Sequence, residues 1–277
     1  MLIGLTEILS EAEKGGYAVP AFNVYNMETV MGVIAAAEEA GAPVILQNYS
    51  RLVTNEEGYY LAPAVLAAAR KARVPVCYHL DHGASFAEVV KMISYGATGI
   101  MLDRSLAPFD ENVADTARCV ELCKPLHIGV EGELGHVGAA ANGDEQTTAF
   151  TTVDEAKEFH EKTGVTALAV AVGTAHGHYK KAPKLAIGRI GEIHEAVGAS
   201  LVLHGGSGVP DDQIVEAIRA GIRKINFGTD VCFSFLDAVF ATDRSVYAID
   251  LFMKGAIASV KAFALEKIAL LGAEGKA

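Results

Sequence analysis

The apolar pattern of this 277-residue chain changes its period repeatedly, and this alternation constrains the fold more than any other feature of the sequence. Short, nearly continuous apolar runs alternate with longer segments whose apolar residues recur at helical spacing. The strand-like runs cover residues 18–24, 43–47, 74–79, 99–102, 127–130, 167–172, 201–204 and 224–227. The helical segments cover residues 27–40, 59–71, 85–95, 110–123, 153–162, 184–197 and 211–220, followed by 231–271 with a break near 242–245.

Eight strands that alternate with eight helices predict an α/β fold, a (β/α)8 TIM barrel, in a single domain over residues 1–277. The strand-like runs are apolar throughout, as expected for parallel strands that are covered on both faces. A doubly wound sheet is the competing fold. It would normally open with a glycine-rich GxGxxG turn after the first strand, and Asn23-Val24-Tyr25-Asn26 offers none. No segment rich in proline, glycine or serine divides the chain.

Charge and cysteine content exclude several classes of protein. The net charge of −11 argues against a general nucleic-acid binder, which would carry a basic face. No apolar run reaches the roughly 18 residues that a bilayer-spanning helix needs, and the first residues lack the basic and apolar regions of a signal peptide. The four cysteines form no CxxC pair, which favours reduced thiols. We therefore expect a soluble, cytoplasmic protein with neither nucleic acid nor membrane as partner.

Polar side chains concentrate at the carboxyl ends of the predicted strands, which meet at one rim of a barrel. They are His79, Asp81, His82, Asp103, Ser105, Glu131, Glu133, His176, His204, Asn226, Thr229 and Asp230. His82, His176 and His204 are each followed by a glycine at equivalent positions. One such histidine alone is more simply a core residue bonded to a backbone carbonyl. Three together predict a metal site, and three neutral imidazoles with an open position suit catalytic zinc.

The carboxylates beside these histidines each allow two interpretations. Asp81 directly precedes a predicted ligand, which favours a general acid/base; the alternative is a carboxylate that orients an imidazole. Glu131 and Glu133 alternate along one strand and therefore face the same way. Together with Asp103, they either support the first metal site or bind a second metal.

A glycine-rich turn after the seventh strand predicts a phosphate site. Gly205, Gly206, Ser207 and Gly208 offer backbone N–H groups and a hydroxyl just before a helix. Such a turn is weak evidence alone. Gly177 after strand six and the Gly228-Thr229 pair after strand eight strengthen it, since barrels commonly bind phosphate at strands seven and eight. Lys180 either adds a charge to this phosphate or is a solvated loop residue.

These residues resemble those of the class II, zinc-dependent fructose-bisphosphate and tagatose-bisphosphate aldolases over nearly the whole chain. The motifs that carry the resemblance stand in the family's order: His79-Leu80-Asp81-His82-Gly83, Met101-Leu102-Asp103, Glu131-Gly132-Glu133-Leu134-Gly135, Gly173-Thr174-Ala175-His176-Gly177, Leu203-His204-Gly205-Gly206-Ser207-Gly208 and Lys224-Ile225-Asn226.

The resemblance implies a role for each matching residue. Zinc would be bound by His82, His176 and His204, while Asp81 would shuttle the hydroxyl proton at the cleaved carbon. Asn226 would steady the enediolate. The phosphate of dihydroxyacetone phosphate would be held by Gly177, Lys180, Gly205, Ser207 and Thr229.

The chain departs from the family at two places. The family's acidic pair after the Glu-Leu-Gly motif is replaced by Gly138-Ala139-Ala140-Ala141, so either Glu145 reaches in to move the carbon-bound proton or that step is carried differently. The arginine that binds the far phosphate in the family is missing near Ile257, although Ser50, another far-end contact, is retained. We hypothesise that Arg104 and His178 bind a different anion at the aldehyde end. An ion pair of Arg104 with a rim carboxylate is the alternative.

The resemblance thus implies an aldolase that reversibly cleaves a ketose 1-phosphate into dihydroxyacetone phosphate and a three-carbon aldehyde in carbohydrate metabolism such as glycolysis. An alternative substrate is 6-deoxy-6-sulfofructose 1-phosphate, which would give sulfolactaldehyde. A metal-dependent phosphosugar epimerase and a non-catalytic metal-binding scaffold are the competing classes. One zinc ion per subunit, a monovalent cation and a homodimer or homotetramer complete the expectation.

Overall fold

The computed structural model describes residues 1–138, 150–177, 179 and 182–277 and confirms the (β/α)8 barrel. All strands are parallel, pair in chain order and close between the first and the last. The strands are β1 (Val19–Asn23), β2 (Val44–Tyr49), β3 (Val76–Gly83), β4 (Gly99–Leu102), β5 (Gly129–Leu134), β6 (Ala167–Val170), β7 (Ser200–Leu203) and β8 (Ile222–Phe227).

Helices surround this barrel and follow the predicted segments closely. They are α1 (Leu5–Gly15), α2 (Met27–Ala40), α3 (Ser50–Thr54), α4 (Glu57–Lys71), α5 (Phe86–Ser94), α6 (Phe109–Cys123), α7 (Val153–Thr163), α8 (Ile187–Ala196), α9 (Asp211–Ala220), α10 (Thr229–Ala241), α11 (Ile249–Phe252) and α12 (Lys254–Leu270). The break expected near residues 242–245 separates α10 from α11 and α12. Within the described ranges, we find no helix with the length and apolarity required to cross a membrane.

Helix α1 was not expected from the sequence, and it attaches to the amino-terminal end of the barrel. Ile3 N donates to Val76 O at 2.9 Å, and Leu5 N donates to Thr98 O at 3.1 Å. The apolar side of the helix, which begins with the fully buried Leu5, joins the core. Because α1 lies at this end, the opposite end, where the strands terminate, is left for a site.

The strand register builds a polar layer inside the barrel. Gln47 on β2 pairs with His79 on β3, and Glu131 on β5 forms an ion pair of 2.8 Å with Lys224 on β8. All four side chains are completely buried. Buried charges are costly unless they are paired. A layer of this kind therefore indicates a functional site at the strand ends next to it.

An irregularity in β3 sets the direction of two neighbouring side chains. Leu80 pairs with Ile100 and Gly83 with Leu102, so β3 carries one extra residue here. His82 has a φ of 50°, in the left-handed region that non-glycine residues seldom adopt. Consecutive strand residues normally face opposite sides of a sheet. The bulge removes this constraint and allows Asp81 and His82 to face the same cavity.

Candidate active site

Three imidazoles from separate strands meet at the carboxyl-terminal end of the barrel. His82 Nε2 lies 3.2 Å from His176 Nε2 and 3.0 Å from His204 Nδ1. Four-coordinate zinc with Zn–N bonds of ~2.0–2.1 Å separates its ligand nitrogens by roughly 3.3 Å. The predicted ligands therefore come together at spacings that suit one metal ion.

The second nitrogen of each ring fixes the tautomer that a metal site requires. His82 Nδ1 contacts Asp103 Oδ2 at 2.8 Å, and His204 Nε2 contacts Glu131 Oε1 at 2.8 Å. His176 Nδ1 contacts the carbonyl oxygen of Val137 at 3.1 Å. Each of these nitrogens donates to an oxygen acceptor, so the three nitrogens that face one another carry lone pairs. Lone pairs at such distances repel unless a cation lies between them, and this donor set fits zinc.

The surroundings of the three rings favour a positive charge between them. Burial alone would lower the pKa of His82, but the carboxylates of Asp81, Asp103 and Glu133 outweigh it and raise the pKa to about 10. Burial lowers the pKa of His176 to about 4, and that of His204 falls well below its ordinary value for the same reason. The carboxylates around His82 thus favour a positive charge at the centre of the triangle, and His176 and His204 stay neutral, the state in which imidazole binds a metal.

Glu133 is a completely buried acid beside this triangle. Its Oε1 accepts from Val137 N at 3.1 Å, while its Oε2 has no hydrogen-bond partner and lies 3.5 Å from His204 Nδ1. Burial, with the Asp103 carboxylate adding to it, raises the pKa of Glu133 to about 8. His82, Asp103 and Glu133 form the second group of side chains in the described residues that is close enough to hold a metal. Asp103 and Glu131 contact the ring nitrogens that face away from the triangle, His82 Nδ1 and His204 Nε2.

Asp81 is held beside the metal triangle by two amides. Asn23 Nδ2 donates to its Oδ2 at 2.7 Å, and Asn226 Nδ2 donates to its Oδ1 at 3.1 Å. Asp81 Oδ1 lies 3.9 Å from His82 Nε2. These bonds fix a carboxylate at the edge of the cavity, within reach of any substrate group that the metal contacts. Such a position suits a general acid/base.

A cavity of about 530 Å³ opens onto these groups, a volume in the range of small-molecule sites. The described residues that line it are Asn23, Tyr25, Tyr49, Ser50, Arg51, Asp81, His82, Ala84, Asp103, His136, Val137, Gly138, His176, Gly177, Gly205, Ser207, Asn226, Gly228 and Thr229.

Most of the predicted phosphate-binding residues line one side of this cavity. Gly177 and Gly205 adopt φ values of 99° and 64°, which glycine tolerates without strain. Ser207 contributes a hydroxyl from the turn after β7, and Thr229 contributes one from the start of α10. Gly206 is a correction to the sequence prediction: its N–H donates to the carbonyl oxygen of Asn226 at 3.2 Å, so it joins β7 to β8 and is not available to a ligand.

Ser50 and Arg104, both predicted to contact the aldehyde end of the substrate, do not lie together. Ser50 lines the cavity, but its hydroxyl donates to Glu88 Oε2 at 2.6 Å. Arg104 does not line the cavity; its Nε contacts Asp115 Oδ2 at 2.7 Å, an ion pair as in the alternative interpretation but with a carboxylate on α6 and not at the rim. His178, Lys180 and Glu145 lie outside the described residues, so their predicted roles stay predictions.

Sequence reasoning did not single out several residues that the cavity brings together. Tyr25, Tyr49, Arg51 and His136 line it, and His136 Nδ1 lies 3.2 Å from the hydroxyl of Ser105. Tyr49 is the last residue of β2, and the other three follow a strand by two residues; this position at a strand end is the sequence signal that could have identified them. Lys224, buried under the site, gives no such signal because it lies inside a strand.

Comparisons with known proteins agree with this geometry. A family model described as fructose-bisphosphate aldolase class II matches residues 3–276. The uncharacterized protein YdjI of Escherichia coli strain K12 is 40% identical over 271 residues, which are 97% of this chain and 96% of YdjI. The crystal structure of the YdjI aldolase superposes with a TM-score of 0.91 at 38% identity and covers 100% of both chains. A putative fructose-1,6-biphosphate aldolase from Coccidioides immitis gives a TM-score of 0.90 at 26% identity, over 98% of this chain and 97% of that one.

Proposed function

The chain belongs to the class II fructose-bisphosphate aldolase family, and from that premise we propose that it is a zinc-dependent lyase acting on a ketose 1-phosphate. The products are dihydroxyacetone phosphate and a three-carbon aldehyde, and the reaction is reversible. The observation that supports this proposal best is the meeting of three lone-pair imidazole nitrogens with Asp81 in one cavity.

Asp81 is the proposed proton acceptor in the cleavage direction. It takes the proton from the hydroxyl on the carbon that becomes the aldehyde. The adjacent carbon–carbon bond then breaks, its electron pair remains on the dihydroxyacetone phosphate half, and the aldehyde carbonyl forms. The amides of Asn23 and Asn226 hold the carboxylate in place for this transfer. The carbon of the dihydroxyacetone phosphate half finally gains a proton, for which Glu145 is the proposed donor.

His82, His176 and His204 are the proposed zinc ligands, and Asp103, Glu131 and the Val137 carbonyl orient their rings. Zinc, when bound, supplies a Lewis acid that stabilises negative charge on the substrate carbonyl oxygen. The backbone N–H groups at Gly177 and Gly205, with the hydroxyls of Ser207 and Thr229, are proposed to hold the phosphate. Orientation by these groups converts cleavage into a reaction of one bound complex.

The proposal is tested with purified protein, its metal content and a panel of ketose 1-phosphates. We expect cleavage of at least one of them into two three-carbon products, loss of cleavage after EDTA and recovery on addition of Zn²⁺. Asp81→Asn should lower kcat by about 10²–10⁴-fold, the usual contribution of a general acid/base, while metal content stays at the native level. Cobalt and iron suit the same histidines, so the metal analysis also decides the native ion.

Two results would contradict the proposal. A phosphosugar epimerase would give a product of unchanged carbon number, and a metal-binding scaffold would change its melting temperature with EDTA but turn over nothing. Full activity of Asp81→Asn would remove Asp81 from the proton transfer and leave the lyase assignment intact.

A further inference from the structure

The cavity has two chemically different sides. Glycine backbones and hydroxyls of the β6, β7 and β8 ends form one side. The end of β2 and the start of α3 form another, with Tyr49, Ser50 and Arg51, and β2 lies opposite β6 in the ring of strands. If the first side holds the ketose phosphate, the second faces the aldehyde half.

Arg51 brings the only arginine or lysine charge among the described residues that line the cavity. No carboxylate in the described part of the chain forms an ion pair with it. Its guanidinium carbon instead lies 5.9 Å from the centroid of the Tyr49 ring, a contact that leaves the N–H groups free to donate. A guanidinium placed in this way offers a fork of donors to a planar or tetrahedral anion.

Ser50, the neighbouring candidate, is not suited to bind an anion. Its hydroxyl proton is given to Glu88 Oε2 at 2.6 Å. The same Glu88 oxygen accepts from Ala84 N at 3.1 Å, so the carboxylate is fixed at the start of α5. Ser50 therefore presents lone pairs to the cavity, and these accept from a substrate hydroxyl but repel a phosphate or sulfonate oxygen.

Arg104 is excluded by its own partner. Its Nε lies 2.7 Å from Asp115 Oδ2 on α6, and the side chain does not line the cavity. A charge that is already paired would have to give up Asp115 to bind a substrate anion.

We infer that Arg51 binds the aldehyde half of the substrate and that this half carries an anionic group remote from the cleaved bond. Ser50 accepts from a hydroxyl next to that group. The inference rests on the proposed aldolase function and adds to it the residue that selects the aldehyde: Arg51, in place of the arginine that is missing near Ile257.

The test uses the zinc-loaded protein in the condensation direction, with dihydroxyacetone phosphate and four aldehydes. Uncharged glyceraldehyde is the reference; glyceraldehyde 3-phosphate, sulfolactaldehyde and tartronate semialdehyde carry phosphate, sulfonate and carboxylate. We expect the native protein to prefer at least one charged aldehyde over glyceraldehyde in kcat/KM. Arg51→Met should lower that ratio by about tenfold or more, since hydrogen bonds to charged groups are among the strong ones, and Arg51→Lys should fall between.

Arg104→Met is the matched control, because it removes an arginine of the same rim that the cavity does not use. We expect it to leave the ratio of charged to uncharged aldehydes at the native value. A native protein without preference for charge, or an Arg51→Met ratio equal to the native one, would overturn the inference while the aldolase function stands. A ratio that falls in Arg104→Met and not in Arg51→Met would also overturn it. Failure to condense any aldehyde would overturn the proposed function together with this inference.

Discussion

Lys224 links His204, a proposed zinc ligand, to Asp81, the proposed proton-transfer residue, through one ion pair and one hydrogen bond. Its Nζ forms an ion pair of 2.8 Å with Glu131 Oε2 and donates a hydrogen bond to Asn226 Oδ1 at 2.7 Å. The other oxygen of Glu131 holds His204, and the Nδ2 of Asn226 holds Asp81. Because Lys224 is a donor only, it forces the amide oxygen of Asn226 toward itself and the amide N–H toward Asp81. One buried charge thus sets the orientation of two active-site groups.

Replacement of Lys224 should therefore slow catalysis through Asn226 and destabilise the fold through Glu131. Lys224→Met leaves Glu131 buried without its partner, which costs about 3–5 kcal/mol when a buried pair is broken. The double variant Lys224→Met/Glu131→Gln removes that unpaired charge and still leaves an amide oxygen for His204. We expect the double variant to regain most of the stability in urea unfolding. Its kcat should stay at least about tenfold below native, because Asp81 has lost its fixed partner.

The comparison of the two variants separates positioning from charge balance. If the double variant recovered native kcat together with stability, Lys224 would serve only to neutralise Glu131. Metal content and KM, measured on the same preparations, show whether zinc and substrate are still bound. A change in KM alone would point to the substrate site and away from Asp81.

Alternation along β8 places Lys224 and Asn226 on one face, so their shared side could be read from the sequence. Their partners could not. Glu131 and Asp81 come from strands that are remote along the chain, and only barrel closure brings them to Lys224. A sequence pattern records the side of a strand that a residue faces and leaves open which residue it contacts.

At the scale of elements, the turn after β7 and the end of β6 depend on close backbone approach. A Cβ on Gly205, which has a φ of 64°, would lie 2.3 Å from the carbonyl oxygen of Ala175. Ala175 directly precedes His176 and Gly205 directly follows His204, so the positions of both proposed zinc ligands depend on this contact. We expect Gly205→Ala to push the two strand ends apart and to weaken zinc binding by about tenfold or more, as changes next to metal ligands typically do.

Gly16→Ala is the control for the backbone effect alone. Gly16 has nearly the same φ, 63°, but nothing lies within 4 Å of its Cβ position. Both variants should lose about 1 kcal/mol of unfolding free energy from the left-handed conformation. Only Gly205→Ala should lose zinc affinity, measured by competition with a chelating dye. Equal zinc affinity of the two variants would contradict the role given to the Gly205 contact.

The bulge in β3 could not be predicted from the apolar pattern of the sequence. The sequence predicts that Asp81 and His82 stand at a strand end, but regular alternation would send them to opposite sides. The extra residue in β3 and the positive φ of His82 turn both toward the cavity. Neither residue is a glycine that would announce such a turn, so the conformation follows from packing against β4, where His82 N contacts Met101 Sδ at 3.4 Å.

At the scale of the whole molecule, the alternation of strand and helix was sufficient to predict the barrel and the end at which its site lies. It was not sufficient to predict α1, because the sequence of one amphipathic helix before the first strand does not indicate which end of the barrel the helix packs against. The sequence also left open whether Arg104 binds an anion or forms an ion pair, since a charged residue at the rim can turn outward to a helix, as Arg104 does to Asp115. The direction of rim side chains is decided by the nearest partner and not by strand order.

Apolar side chains that α10, α11 and their connection expose predict that the protein forms an oligomer. Phe240, Tyr247 and Ile249 are 82%, 91% and 75% exposed, and exposed large apolar side chains that occur together mark interaction sites. We expect light scattering after size exclusion to give at least twice the 29.1 kDa of one chain. Phe240→Glu/Ile249→Glu should reduce that mass because charge is costly in an apolar interface. Tyr60→Glu, at a side chain 71% exposed on α4, should not. A native protein that runs as a single chain at micromolar concentration would contradict this interface, and so would a double variant of unchanged mass.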